Sequence, residues 1–309
     1  MRKSSSLLSK KNLPNILRWV GTLLALVLLI YLLSQQGWDE IIYAFRQVPL
    51  WRFLLALGLT FISRFAVTGR WHILLRSAEI KIPFSQTLQI TFAGLFASNF
   101  LPTTIGGDVI RLGGVIRFGY DRAVSLASLV VDRLVGMAGM GMAALTLIFS
   151  LPALFHALKL SFPASIVVMQ AGWWYRTNER LKGAFIHIFD ALRLWLSQPK
   201  SILEALAFTW VHMLCVFGSI YVLLPGLGET MPFWQIAGLW ALTYFVTLLP
   251  ISVNGLGVQE LSMTFFFTTF GGISTANALT IALFMRILPM FASLPGAIFI
   301  PGMLAGDKK

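Results

Sequence analysis

The sequence predicts an all-α polytopic membrane protein, a single domain over 1–309, with about six full spans and two re-entrant helical hairpins in an inverted repeat. Three observations carry this. Hydrophobic residues fill 57% of the 309 positions and charged residues only 12%, with a mean hydropathy of +0.78. The runs at 16–33, 51–69, 123–150 and 276–300 are apolar on every face rather than along one stripe, which suits hydrocarbon and not a soluble bundle. Two other segments, 84–117 and 233–270, are apolar stretches interrupted by Pro and Gly, the pattern of helices that enter a membrane without crossing it alone.

The first run, 16–33, follows Arg2, Lys3, Lys10, Lys11 and Arg18 and precedes Asp39 and Glu40, so the positive-inside rule places the N-terminus in the cytoplasm. It resembles a signal peptide, but no small-residue cleavage site follows it, and it reads as an uncleaved span. Run 51–69 returns to a basic loop with Arg70, Arg76 and Lys81, and run 123–150 leaves again after Arg117 and Arg122. Segment 151–175 is a weaker span that ends in the aromatic belt Trp173, Trp174 and Tyr175 before Arg176, Arg180 and Lys182. Residues 179–197 put Leu181, Phe185, Ile188, Phe189, Leu192, Trp195 and Leu196 on one helical face, as in a helix lying in the cytoplasmic interface. A span at 203–224 leads out to PGLGET, and 276–300 returns to a cytoplasmic C-terminus. No soluble domain or low-complexity tract stands out.

The charge excess of +12 sits in loops facing an anionic leaflet, so it points to acidic lipids as partners and not to nucleic acid. Cys215 is the only cysteine, which excludes an intrachain disulfide and a CxxC site and leaves a small packing residue. No metal spacing of His, Cys or acidic residues occurs, and no cofactor is expected.

The broken segments align as LP-TT-I-GGD-VI-R-L and LP-IS-VN-GLG-VQ-E-L, with one inserted residue and with Arg111 set against Glu260. Pro102 and Pro250 end the first stretch of each. Gly106 and Gly107, like Gly255 and Gly257, can take positive φ and turn backbone N–H groups toward an anion at a helix N-terminus; equally, they can turn the chain and let helices pack closely. Charges within apolar runs need a partner or a wet cavity. Asp108, Arg111, Asp132, Arg133, Glu260 and Arg286 are therefore an interior cluster, either facing a ligand or locking helices together. Arg64 and Glu204 read as snorkelling residues, and His212 as a hydrogen-bonded packing histidine.

In order, N-x-LP, GGDxxR, DRLxG, P-x-S-x-NGLGxxE and an Arg in the last span resemble the transmembrane, flippase-like domain of lysylphosphatidylglycerol synthases. The resemblance rests on Asn99, Leu101, Pro102, Gly106, Gly107, Asp108, Arg111, Asp132, Arg133, Gly136, Pro250, Ser252, Asn254, Gly255, Gly257, Glu260 and Arg286. It implies a module of the bacterial or archaeal cytoplasmic membrane that binds an anionic phospholipid, its aminoacylated derivative or another lipid phosphate, and moves it between leaflets. Full-length synthases add a cytoplasmic aminoacyl-transfer domain after this region; the sequence ends at Lys309, so catalysis is not implied and the expectation is a carrier, not an enzyme. The rivals are an accessory subunit partnering a lipid-synthesis enzyme, and an enzyme acting on polyprenyl-phosphate lipids. Against the last, no DxD pair occurs.

Overall fold

The computed structural model describes Val27 and residues 46–99, 106–147, 195, 197–249 and 252–299. The expected first span at 16–33, segment 151–175 and the interfacial helix at 179–197 lie outside the described residues, apart from Val27, Trp195 and Ser197. Pro102 and Pro250 also lie outside them.

The described residues are helical, with no strand among them. Eight α-helices follow in order: α1 Leu50–Ser77, α2 Phe84–Ser98, α3 Gly106–Arg117, α4 Arg122–Ala144, α5 Pro199–Leu223, α6 Phe233–Thr247, α7 Val258–Thr269 and α8 Thr275–Ser293. Their starts are written in the sequence. Pro49, Pro83 and Pro232 precede α1, α2 and α6 with φ near −60°, fixing the chain where a helix has no use for an N–H. Asp121 and Ser274 cap α4 and α8, each side chain accepting from the backbone N–H three residues on.

Four stretches are long and apolar enough to cross a membrane: Leu50–Ser77, Arg122–Ala144, Pro199–Leu227 and Thr275–Phe299. They correspond to four of the expected spans. Only 22% of the most apolar window of α1 is buried inside the protein, and Leu54, Ile62 and Phe65 point outward. So continuous an apolar exterior is stable against lipid and not against water. The helices of the two broken segments are shorter. At 15 and 12 residues in each segment, they reach about 22 and 18 Å, against a hydrocarbon core of about 30 Å.

At the centre α1 packs against α5. Arg52 Nη1 donates to the Val222 carbonyl (2.8 Å), Ser63 Oγ pairs with His212 Nδ1 (2.6 Å), and Arg70 Nη1 donates to Thr209 Oγ1 (3.3 Å). One number rises as the other falls, so the helices run antiparallel. The absence of a side chain at Gly69 admits the Phe208 ring, since a Cβ there would lie 2.6 Å from Phe208 Cε1.

The helices form two series of like lengths, 28, 15, 12 and 23 residues for α1–α4 and 25, 15, 12 and 19 for α5–α8. α5 starts 149 residues after α1 (199 against 50), and α6 starts 149 after α2 (233 against 84). Ser63 and His212, which hydrogen-bond to each other, are both the fourteenth residue of their helix.

Candidate functional site

The first broken segment builds a chain of charges. Asp132 on α4, only 2% exposed, accepts from Arg70 Nε of α1 (2.6 Å) and Arg111 Nη2 of α3 (3.1 Å). Arg111 Nη1 reaches Asp108 Oδ1 (3.1 Å), whose Oδ2 accepts from Arg133 Nε (2.6 Å). A carboxylate buried this deeply is tolerable only when paired, and two arginines pair it. Sequence makes room for this. Gly136, one turn after Asp132, lets the Arg70 guanidinium cross α4, where a Cβ would come within 3.0 Å of Arg70 Nη1. The Arg111 guanidinium lies 4.1 Å over the Trp71 ring, an attractive cation–π contact.

Gly106 and Gly107 are the first two residues of α3. Gly107 is helical rather than left-handed, and its use is closeness: a Cβ would stand 2.7 Å from the Gly94 carbonyl oxygen of α2. Of the two uses open to it, the structure shows tight packing for Gly107.

The second break differs. Asn254, Gly255 and Gly257 all take positive φ (51°, 68° and 76°), as expected for both glycines. Glu260 accepts from the Gly257 N–H (2.9 Å) and from Arg286 Nε (2.5 Å). Arg286 spends its other donors on the break itself, Nη1 on the Asn254 carbonyl (3.2 Å) and Nη2 on the Gly255 carbonyl (2.9 Å). The breaks also meet. Asn254 Nδ2 donates to the Ser98 carbonyl at the end of α2 (2.9 Å), and Asn99 Nδ2 donates to Ser293 Oγ of α8 (2.8 Å).

One alignment needs correcting. Glu260 was set against Arg111, but in the structure its counterpart is Asp108. Each lies on the short helix after its break, and each pairs with an arginine, Arg133 or Arg286, that is the twelfth residue of the capped helix after it. Left-handed residues precede α7, which starts at Val258, whereas Gly106 and Gly107 are already helical. The register therefore shifts by three residues relative to the aligned GGD and GLG.

Two adjoining cavities collect these groups. The larger, about 330 Å³, is lined by Arg64, Asn99, Asn254, Gln259 and Arg286 among others. The smaller, about 230 Å³, is lined by Arg70, Asp108, Arg111, Asp132 and Arg133. Met140, His212 and Tyr244 face both. Glu260, Gly255 and Gly257 stand behind Arg286, Gly106 and Gly107 lie at the α2–α3 contact, and Pro102 is outside the described residues.

Arg64 and Arg70 are the residues the sequence reading missed. With a span closing near residue 69, Arg64 reads as a snorkelling residue near its end and Arg70 as part of the basic loop that follows. α1 instead runs to Ser77, which sets Arg70 well inside it and buries it to 8% exposure. The signal was present: RWHILLRS, 70–77, holds no Pro or Gly to stop a helix. His212 has the hydrogen-bond partner expected of it and lines the cavity as well.

Long apolar helices turned outward, enclosing a buried network of charge, define an integral membrane protein. Residues 18–296 match the family model of the lysylphosphatidylglycerol synthase TM region, and the chain belongs to that family. Comparison with curated proteins gives no match.

Proposed function

We propose that this protein carries an anionic phospholipid or other lipid phosphate between the leaflets of the cytoplasmic membrane, with both termini cytoplasmic and without catalytic chemistry of its own. The observation that carries this reading is the pair of adjoining cavities among these helices, which five arginines face: Arg64, Arg70, Arg111, Arg133 and Arg286. Arg70 and Arg111 are buried and the five arginines outnumber the three carboxylates that engage them, so positive charge is left over in a low-dielectric interior, and a phosphate ligand offsets its cost.

The architecture supports the same reading. The two series of helices are an inverted repeat, α1 and α5 being antiparallel counterparts joined by Ser63 and His212 on the pseudo-twofold axis. The α2–α3 and α6–α7 pairs are re-entrant hairpins whose tips meet through Asn254 and Ser98. Membrane carriers built this way hold their ligand where broken helices from the two repeats converge. Asp108, Asp132 and Glu260 are all engaged by arginines, which leaves none of them as an obvious general base.

The test is reconstitution into vesicles with labelled lipids of several headgroups, read by a leaflet-selective quencher. Wild-type protein accelerates movement of an anionic phospholipid over protein-free vesicles, and Arg111→Lys, which lacks the planar fork that holds Asp108 and Asp132 together, slows it while the protein stays folded. No headgroup-dependent acceleration overturns the reading.

A further inference from the structure

We infer that Arg64 receives the anionic group of the lipid, and that the cavity around it selects headgroups of net negative charge against aminoacylated, ammonium-bearing ones. The inference rests on the carrier reading above and specifies the ligand.

Of the five arginines facing the cavity, four are bound to carboxylates: Arg70 to Asp132, Arg111 to Asp132 and Asp108, Arg133 to Asp108, and Arg286 to Glu260. Arg64 has no carboxylate partner among the described residues, and its Nε is buried without a hydrogen bond. A guanidinium in that position has donors to give, and a phosphate oxygen accepts them in fork geometry. Arg64 is also next in sequence to Ser63, whose bond to His212 lies where the two series of helices meet. The larger cavity also presents neutral polar side chains, Asn99, Asn254, Gln259 and Tyr244 among them, which suit a hydroxylated headgroup. At its rim Leu256 and Met290 are 38% and 43% exposed, an apolar edge along which acyl chains can leave toward the bilayer. A soluble anion has no use for that edge.

The same inventory disfavours an ammonium. Asp108, Asp132 and Glu260 are already engaged by arginines, so the described residues offer no spare carboxylate for a lysyl headgroup, while Arg64 repels one. Selectivity here comes from a repulsive element together with an attractive one.

The experiment is native mass spectrometry of the full chain in neutral detergent, titrated with phosphatidylglycerol, lysylphosphatidylglycerol and phosphatidylcholine, with inorganic phosphate as a soluble competitor. Wild type is expected to hold phosphatidylglycerol about tenfold or more tighter than the lysyl lipid. Arg64→Met should lose about the same factor for phosphatidylglycerol, and Arg64→Lys, which keeps the charge and loses the fork, should fall between the two. Met is a fair probe because Met213 holds the fifteenth position of α5, as Arg64 does of α1. Equal or tighter binding of the lysyl lipid by wild type overturns the inference without any variant, as does wild-type affinity in a folded Arg64→Met protein. Displacement of phosphatidylglycerol by submillimolar inorganic phosphate overturns the lipid assignment. If phosphatidylglycerol binds through Arg64 but does not move in vesicles, the Arg64 site stands and translocation fails.

Discussion

α1–α4 and α5–α8 share a frame and differ in what they bury. In each, a short helix offers a carboxylate to an arginine on the twelfth residue of the next long helix, Asp108 to Arg133 and Glu260 to Arg286. The first series adds Arg70, Arg111 and Asp132; the matching helix positions of the second hold Ser219, Met263 and Met285, all buried. A frame that closes over Ser and Met in one half does not need three ions to close in the other. Since replacing buried ion clusters by apolar residues is often neutral or stabilising, the comparison predicts that the fold can do without the Arg70–Asp132–Arg111 cluster.

The strongest way to break that comparison is to remove the centre of the cluster. Asp132→Ala strands two buried guanidinium groups and should cost about 3–5 kcal/mol, read as a fall in the unfolding midpoint in detergent. Combining Arg70→Ser, Arg111→Met and Asp132→Met copies the second half into the first; it should recover most of that stability and abolish lipid movement. If the triple variant is no more stable than Asp132→Ala, the cluster is part of the frame and the contrast between halves is wrong.

A smaller effect sharpens what the halves have in common. Glu260 is 2% exposed and holds both Arg286 and the Gly257 N–H. Glu260→Gln keeps an acceptor but loses the charge, and should cost about 1.5–3 kcal/mol. The side chain of Arg133, partner of Asp108, is 43% exposed, and Arg111 keeps Asp132 when Asp108 is neutralised. Asp108→Asn should therefore cost under about 1 kcal/mol. Equal losses would mean that the two ion pairs carry the same structural load.

These contrasts also mark how far the sequence could be read. The membrane character, four of the spans and the interior charges were legible because long apolar runs and isolated ions within them are local signals. The partners were not. That Asp132 would be held by Arg70, 62 residues earlier, depends on α1 running eight residues past the point where its hydropathy falls, which composition alone undervalues. The equivalence of Asp108 and Glu260 was hidden for a different reason: left-handed residues in one break stand where the other has helical glycines, and an alignment of letters cannot see φ.

A last prediction tests that difference directly, using two glycines that look alike in sequence. Gly255 has φ of +68° and no atom closer than 3.8 Å to where a Cβ would lie, so it is required for conformation and not for space. Gly107 is helical, but a Cβ there would lie 2.7 Å from the Gly94 carbonyl oxygen, so it is required for space and not for conformation. Alanine should cost about 1–2 kcal/mol at Gly255, from left-handed strain, and about 1–3 kcal/mol at Gly107, from overpacking. Alanine alone does not separate the causes, but asparagine does. It tolerates the left-handed region, so Gly255→Asn should restore much of what Gly255→Ala loses, whereas Gly107→Asn, larger still, should be worse than Gly107→Ala. Melting temperatures of the four variants in one detergent decide it. An asparagine that rescues neither position, or both, would mean that the two breaks are built alike and that the three-residue register shift between α3 and α7 has another origin.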